Sequence, residues 1–196
     1  KAYRVAEQCC EYAKQEGMLR DQGFKRVSWI DFHICKSGLT GDLDKTREQY
    51  AIPFEDQMLS LCFRPWYVPR EGDQAENENL EFYKLDQFKQ LVGEFARQPR
   101  VWARSKLKSL YQVMKAGKEA IDFELEFIRS RYPEEFKSLM ALVAEPNSKE
   151  WALQLQRHGR EKPLLTTKLF DALEFIDFCS LFNQKTNNFR FSRTNS

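Results

Sequence analysis

The sequence predicts a mainly α-helical fold: a compact multi-helix domain around a central apolar helix near the C-terminus. Two observations favour helices over a many-stranded sheet. The 196 residues include only eight glycines and seven prolines, so tight turns are few. Apolar residues also recur at helical spacing over much of the chain. We expect one helical domain over residues 1–183, followed by a polar, basic and disordered tail at residues 184–196.

The central helix is predicted over residues 167–182. Its polar positions fall at every third residue: Lys168, Asp171, Glu174, Asp177 and Ser180. A three-residue repeat lags the α-helix by roughly 60° each time, so these positions wind around the helix instead of forming one polar face. Other helices are therefore expected to pack against it on several sides.

The N-terminal third contains the best strand candidate. Residues 2–16 have helical spacing that ends at Gly17, a natural residue just after a helix. Residues 27–35 alternate between apolar and polar side chains, which is typical of a strand. Residues 57–63 are either a second strand or a short helix. The sequence thus predicts at most a small two-stranded element near residues 27–35 and 57–68.

The remainder of the chain is predicted to be helical, apart from a mobile acidic loop at about residues 71–79. Apolar faces favour helices over residues 85–98 and 101–118. Residues 121–132 fit both a strand alternation and a helical stripe, and their position between two helices favours a helix. Pro133, followed by two glutamates, indicates a helix start. Ser148 is predicted to cap a short helix that carries Trp151.

The composition limits the kinds of partner and the cellular compartment that we expect for this protein. The net charge is only +2, so any charged partner must be recognised by a local patch. The five cysteines form no CxxC motif, and an odd number cannot pair fully within one chain, which favours an intracellular and cytoplasmic location. No apolar run is long enough to span a membrane. The sequence starts at Lys1, so we expect a piece of a longer protein, whose other domains are candidates to hold an activity.

The most asymmetric charge pattern lies in residues 95–118, which hold no acid and seven bases. On a helical wheel several of these bases lie together on a different side from an apolar stripe, which predicts a basic amphipathic helix. A solvated outer face of a core helix is the simpler interpretation. The binding residues that the pattern indicates, together with two aromatic residues expected to be exposed, are Arg97, Arg100, Arg104, Lys108, Lys115, Trp66 and Tyr67.

Asp31, His33 and Cys35 form the only enzyme-like cluster. On a strand, their spacing puts all three side chains on one face. A cysteine nucleophile needs its base within hydrogen-bond reach, and neighbours on one strand are about 6.5–7 Å apart at Cα. As a metal site the cluster lacks a fourth ligand. A half-buried strand face is therefore the favoured interpretation.

The sequence thus favours a non-catalytic interaction or assembly module of a larger intracellular protein or complex, with a protein partner. Nucleic-acid binding through the basic helix and tail is the alternative, and a thiol enzyme using Cys35 and His33 comes third. No cofactor or metal site is predicted, and no motif is specific enough to indicate a family. The oligomeric state is left open.

Overall fold

A computed structural model describes residues 2–21, 27–35, 42–70, 78–145, 148, 150–159 and 161–178. The fold is mainly α-helical, as the sequence predicts. In chain order the helices are α1 (Ala2–Arg20), α2 (Leu43–Glu48), α3 (Glu78–Glu81), α4 (Leu85–Arg97), α5 (Arg104–Val113), α6 (Lys118–Arg131), α7 (Pro133–Val143) and α8 (Leu169–Glu174), the last continuing into a 3₁₀ turn at Phe175–Phe178.

Within the described ranges, six short strands form two small sheets. They are β1 (Ser28–Ile30), β2 (Ala51–Phe54), β3 (Gln57–Ser60), β4 (Trp66–Val68), β5 (Leu153–Leu155) and β6 (Leu164–Thr166). Strands β1 and β4 pair antiparallel, with Trp29 opposite Tyr67. The other four are ordered β2-β3-β6-β5, and only the β3–β6 pair is parallel.

Helices α4 to α7 lie close to where the apolar patterns of the sequence predict them. Phe88, Leu91, Val92 and Phe95 form the buried face of α4, as their spacing predicts. Of residues 121–132, whose pattern fits both a strand and a helix, residues 121–131 are helical within α6 and bury one stripe. Pro133 occupies the first turn of α7, where its missing N–H costs no hydrogen bond.

The expectation of at most one two-stranded element is wrong, because a four-stranded sheet is also present. Its strands have only three or four residues, too few to show a clear alternation. Its central pairing also joins Ser60 to Thr166 across a long stretch of chain. Trp151, predicted to lie in a short helix after Ser148, instead lies two residues before β5. Residues 57–60 are a strand, one of the two predicted alternatives.

The C-terminal helix is shorter than predicted. Only Leu169–Glu174 is α-helical, Phe175–Phe178 is a 3₁₀ turn, and residues 179–182 lie outside the described residues. A continuous central helix over residues 167–182 is therefore not confirmed. All six residues of α8 are nevertheless buried, including Asp171 and Glu174, and α8 contacts both α4 and α5.

Helix α1 continues past Gly17 to Arg20, so Gly17 is not the residue that ends it. A Cβ atom at Gly17 would lie 2.4 Å from Cδ1 of Trp29 on β1. This glycine therefore allows the indole to approach the helix backbone closely. The end of α1, which carries Arg20, is positioned by that contact.

The acidic loop and the basic tail fall largely or wholly outside the described residues. The structure describes neither residues 71–77 nor residues 179–196.

Candidate functional site

The structure places Asp31, His33 and Cys35 along the wall of one cavity, opposite residues of α1, but not on one strand face. Strand β1 ends at Ile30, so residues 31–35 do not form the strand that the alternation predicts. The Asp31 carboxylate is buried and lies 2.7 Å from Nη2 of Arg47. No hydrogen bond joins His33 to Cys35, both of which the structure describes. Burial, reinforced by the Arg64 guanidinium, lowers the pKa of His33, and its Nδ1 atom is buried without a partner.

Asp31 belongs instead to a buried ionic cluster, here called the Arg64 centre: Arg64 with the carboxylates of Asp31, Asp171 and Glu174. Nη2 of Arg64 donates a hydrogen bond of 2.7 Å to Oε2 of Glu174. The backbone N–H of Arg64 donates to Oδ2 of Asp171 at 2.8 Å. Nε of Arg64 lies 3.9 Å from Oδ1 of Asp31. A guanidinium has enough donors to serve several carboxylates at once.

Neutral donors complete the Arg64 centre. Nε1 of Trp66 donates to Asp171 at 3.0 Å, and the Tyr50 hydroxyl donates to Glu174 at 3.1 Å. Burial raises the pKa of Asp171 to about 6, although the Arg64 guanidinium opposes this rise. Burial, and then the Glu174 carboxylate, also raise the pKa of Tyr50. Because these side chains are buried and bonded to one another, the Arg64 centre is suited to structural support and leaves no opening for a substrate.

Trp66 and Tyr67 are not surface residues, so their assignment to an exposed binding surface is wrong. Trp66 is 0% exposed and Tyr67 is 6% exposed. Both residues belong to β4, which packs against α4 in the core. The Trp66 ring packs at 4.4 Å from that of Phe63. Two exposed aromatic residues of the described chain that the sequence did not single out are Phe123, at 76%, and Phe127, at 49%, both on α6.

The predicted basic residues all lie at the surface of α4, α5 and their connections. Arg104, Lys108 and Lys115 follow one side of α5 and the turn after it. Nη2 of Arg104 donates to Oδ1 of Asp177 at 2.7 Å, and Nζ of Lys108 lies 3.5 Å from the same oxygen. Nζ of Lys115 lies 4.7 Å from the centre of the Tyr111 ring. This group of three is called the α5 basic stripe below.

Arg97 and Arg100 precede the α5 basic stripe along the chain. Arg97 forms an ion pair of 3.2 Å with Glu94 of its own helix. Arg100 is exposed in the turn before α5 and forms no ion pair with any residue that the structure describes.

A cavity of about 1390 Å³ was not indicated by the sequence. It lies between α6, α7 and β5 and is here called the Lys168 cleft. Its apolar wall is made of Leu125, Phe136, Met140 and Leu155. Lys118, Asp122, Glu126 and Arg129 are among the charged residues that line it.

Lys168 borders the Lys168 cleft although the residue is only 1% exposed. Its Nζ atom lies 3.4 Å from the centre of the Phe82 ring and 5.5 Å from that of Phe63. No described residue accepts a hydrogen bond from this amine or pairs with it as an ion. Burial lowers the pKa of Lys168 to about 7, against a smaller opposing effect of the Glu145 carboxylate. A fraction of the amine is therefore uncharged and nucleophilic at neutral pH.

The sequence contained a weak signal for Lys168: a lysine at the start of a segment otherwise rich in large apolar residues. That signal could not reveal the cleft, because Phe82 and the residues of α6 and α7 are distant in the sequence. The sequence likewise could not reveal the Arg64 centre, because Arg64 and its partner on α8 are more than a hundred residues apart in the sequence.

The chain matches no known protein-family profile and no curated protein. Within the described ranges, no group of three or more His, Cys, Asp or Glu side chains is arranged to hold a metal ion. None of the described helices combines the length and apolar character needed to cross a membrane.

Proposed function

We propose that this chain is a non-catalytic protein-interaction module whose α5 basic stripe binds an acidic surface of a protein partner. The observation that carries the proposal is that Arg104 and Lys108 lie on one exposed side of α5, with exposed Lys115 in the turn after the helix. Residues at i and i+4 lie close together on a helix. The stripe therefore presents two neighbouring cations on α5 and a third just beyond its end.

Internal carboxylates neutralise this surface only in part. Asp177 is the single carboxylate paired with the α5 basic stripe among the described residues. The hydrogen bond from Arg104, with the charge of Lys108, lowers the pKa of Asp177, so its charge is present at neutral pH. Arg104 and Lys108 remain more than half exposed in these pairs. Exposed ion pairs are weak, so an acidic partner can compete for both cations.

Aromatic residues beside α5 also suit a protein interface. Helix α6 packs on α5 and exposes Phe123 and Phe127. Phe127 lines a small cavity with Lys106 of α5, and Nζ of Lys106 donates to the Tyr132 hydroxyl at 2.8 Å. Interface cores are enriched in aromatic residues and arginine. Because Lys106 lies on a different side of α5 from Arg104 and Lys108, Phe123 and Phe127 replace Trp66 and Tyr67 only as candidates for a separate contact.

An acidic protein surface fits this region better than nucleic acid does. Asp177 lies against Arg104 and Lys108, where it would repel phosphates, whereas a protein partner can also offer donors to its carboxylate. The small net charge of +2 gives no broad positive field to attract a polyanion. Nucleic-acid binding is therefore the alternative outcome of the test.

The test measures fluorescence anisotropy of a labelled polyglutamate peptide, a DNA duplex, single-stranded DNA and RNA across a salt series. We expect the peptide to bind the protein, and replacing all three stripe cations by glutamine to weaken that binding while leaving the fold intact. A matched variant loses three exposed lysines elsewhere and should bind like the unchanged protein: Lys14→Gln, Lys45→Gln and Lys89→Gln.

The nucleic-acid arms decide between the two functions. Five phosphate contacts, one for each predicted basic residue, would give a log–log salt slope of about −4.5 on duplex DNA. Losing the three stripe cations would then flatten the slope to roughly −1.8. Sub-micromolar duplex binding with that behaviour, and no binding of the peptide, would replace the protein-interaction proposal by the nucleic-acid alternative.

A further inference from the structure

The Lys168 cleft provides a second site, independent of the α5 basic stripe. Three features coincide there: a buried primary amine, an apolar wall, and a volume of about 1390 Å³ that is ample for a small organic molecule. An amine buried without a hydrogen-bond acceptor is costly, because the lost water contacts are not replaced. Such a group is rarely tolerated unless it is compensated or used.

We propose that Lys168 captures an apolar aldehyde or ketone in this cleft as an imine. The apolar part of the ligand would lie against Leu125, Phe136 and Met140, and its carbonyl carbon would meet Nζ of Lys168.

The step is a condensation and needs no oxidant or reductant. The nitrogen lone pair of Lys168 forms a bond to the carbonyl carbon, and the carbonyl π electrons move to oxygen. A proton passes from nitrogen to that oxygen, giving a carbinolamine. The hydroxyl group then leaves with a proton as water, and a carbon–nitrogen double bond forms. One water is released for each imine, and hydrolysis reverses the reaction.

The surroundings of Lys168 suit each stage of this reaction. Attack requires an uncharged amine, and burial supplies one by lowering the pKa of Lys168 to about 7. Protonation of the imine creates a cation, which the face of the Phe82 ring, 3.4 Å from Nζ, would attract.

The carboxylate of Glu145 favours a neutral ligand over a carboxylate at Lys168. Glu145 lines the Lys168 cleft, and its carboxylate is the charged group that acts on the pKa of Lys168. It would repel a second carboxylate at that amine, whereas it would stabilise the iminium formed from a carbonyl compound. Arg20, also on the wall, already donates a hydrogen bond of 2.9 Å to the Pro65 carbonyl and lies over the Phe63 and Tyr83 rings.

The experiment treats the unchanged protein with benzaldehyde and cyanoborohydride at pH 7 and maps the modified lysines by peptide mass spectrometry. Reduction of the imine leaves a stable adduct. It increases the mass of the modified lysine by the mass of the aldehyde minus one oxygen atom. At pH 7 an amine of pKa about 7 is roughly a thousandfold more often uncharged than an ordinary lysine. Its lower basicity offsets part of this gain, so we expect modification of Lys168 to exceed that of exposed Lys137 by about tenfold or more.

Two variants locate the reaction. Lys168→Met should abolish the fast adduct, and Lys137→Met, which removes an exposed lysine of the same cleft, should leave it unchanged. Circular dichroism checks that both variants fold. If one does not fold, the peptide map of the unchanged protein still compares the modification of Lys168 with that of Lys137.

Three results would overturn the proposal. The first is modification of Lys168 no faster than of Lys137. The second is modification of Lys168 only after denaturation, which would show that the amine is sealed from ligands. The third is protection of Lys168 by benzoate but not by benzyl alcohol, which would assign the cleft to carboxylates.

Discussion

Arg64 and Lys168 are both buried cations, but their surroundings are opposite. Arg64 faces three carboxylates and donates to two of them through its side chain and backbone. Lys168 faces the Phe82 and Phe63 rings, with an open cleft in place of a carboxylate partner. Phe63 lies between the two regions, next to Arg64 in the chain.

The comparison separates a structural charge from a reactive one. Pairing holds the Arg64 charge in place, and removing one partner of such a cluster leaves the others buried and unpaired. Burial without pairing shifts the ionisation of Lys168 instead, so its amine is partly uncharged at neutral pH. Burial of a charged residue therefore indicates a reactive group only when the residue has no oppositely charged partner and lies next to a cavity.

The largest expected effect comes from breaking the Arg64 centre. Arg64→Met should lower the free energy of unfolding by about 3–5 kcal/mol, because Asp171 and Glu174 would lose their buried cation. Urea unfolding measures this loss. Arg104→Met is the matched control, since Arg104 is exposed and paired with a single acid, and it should cost about 0.5 kcal/mol or less. Similar losses for the two variants would remove the distinction between the regions.

The next effect concerns Arg20, a third buried cation whose guanidinium lies over the same Phe63 ring as the Lys168 amine. Gly17→Ala should displace Trp29 or the end of α1 that carries Arg20. Overpacking of this kind costs about 1–3 kcal/mol. The control is Gly93→Ala in α4, where a Cβ meets nothing within 4 Å and should stabilise by about 0.5–1 kcal/mol. If thermal or urea unfolding showed that both variants gain equal stability, the close contact between Gly17 and Trp29 would be contradicted.

A smaller effect tests the neutral donors of the Arg64 centre. Tyr50→Phe removes one hydrogen bond to Glu174, while Arg64 still donates to that carboxylate. We expect a loss of about 0.5–1.5 kcal/mol in urea unfolding. A loss as large as that for Arg64→Met would show that the hydroxyl, and not the guanidinium, is the main support of Glu174.

Local sequence patterns predict the elements whose stability is mainly local in origin. The apolar stripe of α4 and the proline start of α7 are visible within single segments, and both helices are present. The second sheet is not visible in this way, because β3 pairs with β6 far along the chain and each strand has three or four residues. Residues 175–178 depart from the predicted α-helix, and nothing in their sequence marks a change to 3₁₀ geometry.

The surroundings of the two buried cations, Arg64 and Lys168, likewise depend on distant parts of the chain. The three-residue repeat of polar positions indicated that residues 167–182 lack one solvent face; Lys168, Asp171 and Glu174 are buried, whereas Asp177 is exposed. Whether each is paired depends on chain segments that only the fold brings near. Asp171 and Glu174 meet Arg64, which precedes them by more than a hundred residues, whereas Lys168 meets an aromatic ring. The sequence therefore predicts burial but not the charge environment.

The most direct test of the account compares the pH dependence of unfolding for the unchanged protein and for Lys168→Met. The unfolded lysine has an ordinary pKa near 10.5, and burial lowers it to about 7 in the folded state. Between these values the unfolded chain binds one more proton, so the unchanged protein should gain stability relative to Lys168→Met as pH rises. The expected relative slope is about 1.4 kcal/mol per pH unit between pH 8 and pH 10. Parallel curves for the two proteins would show that Lys168 keeps an ordinary pKa and would contradict the account.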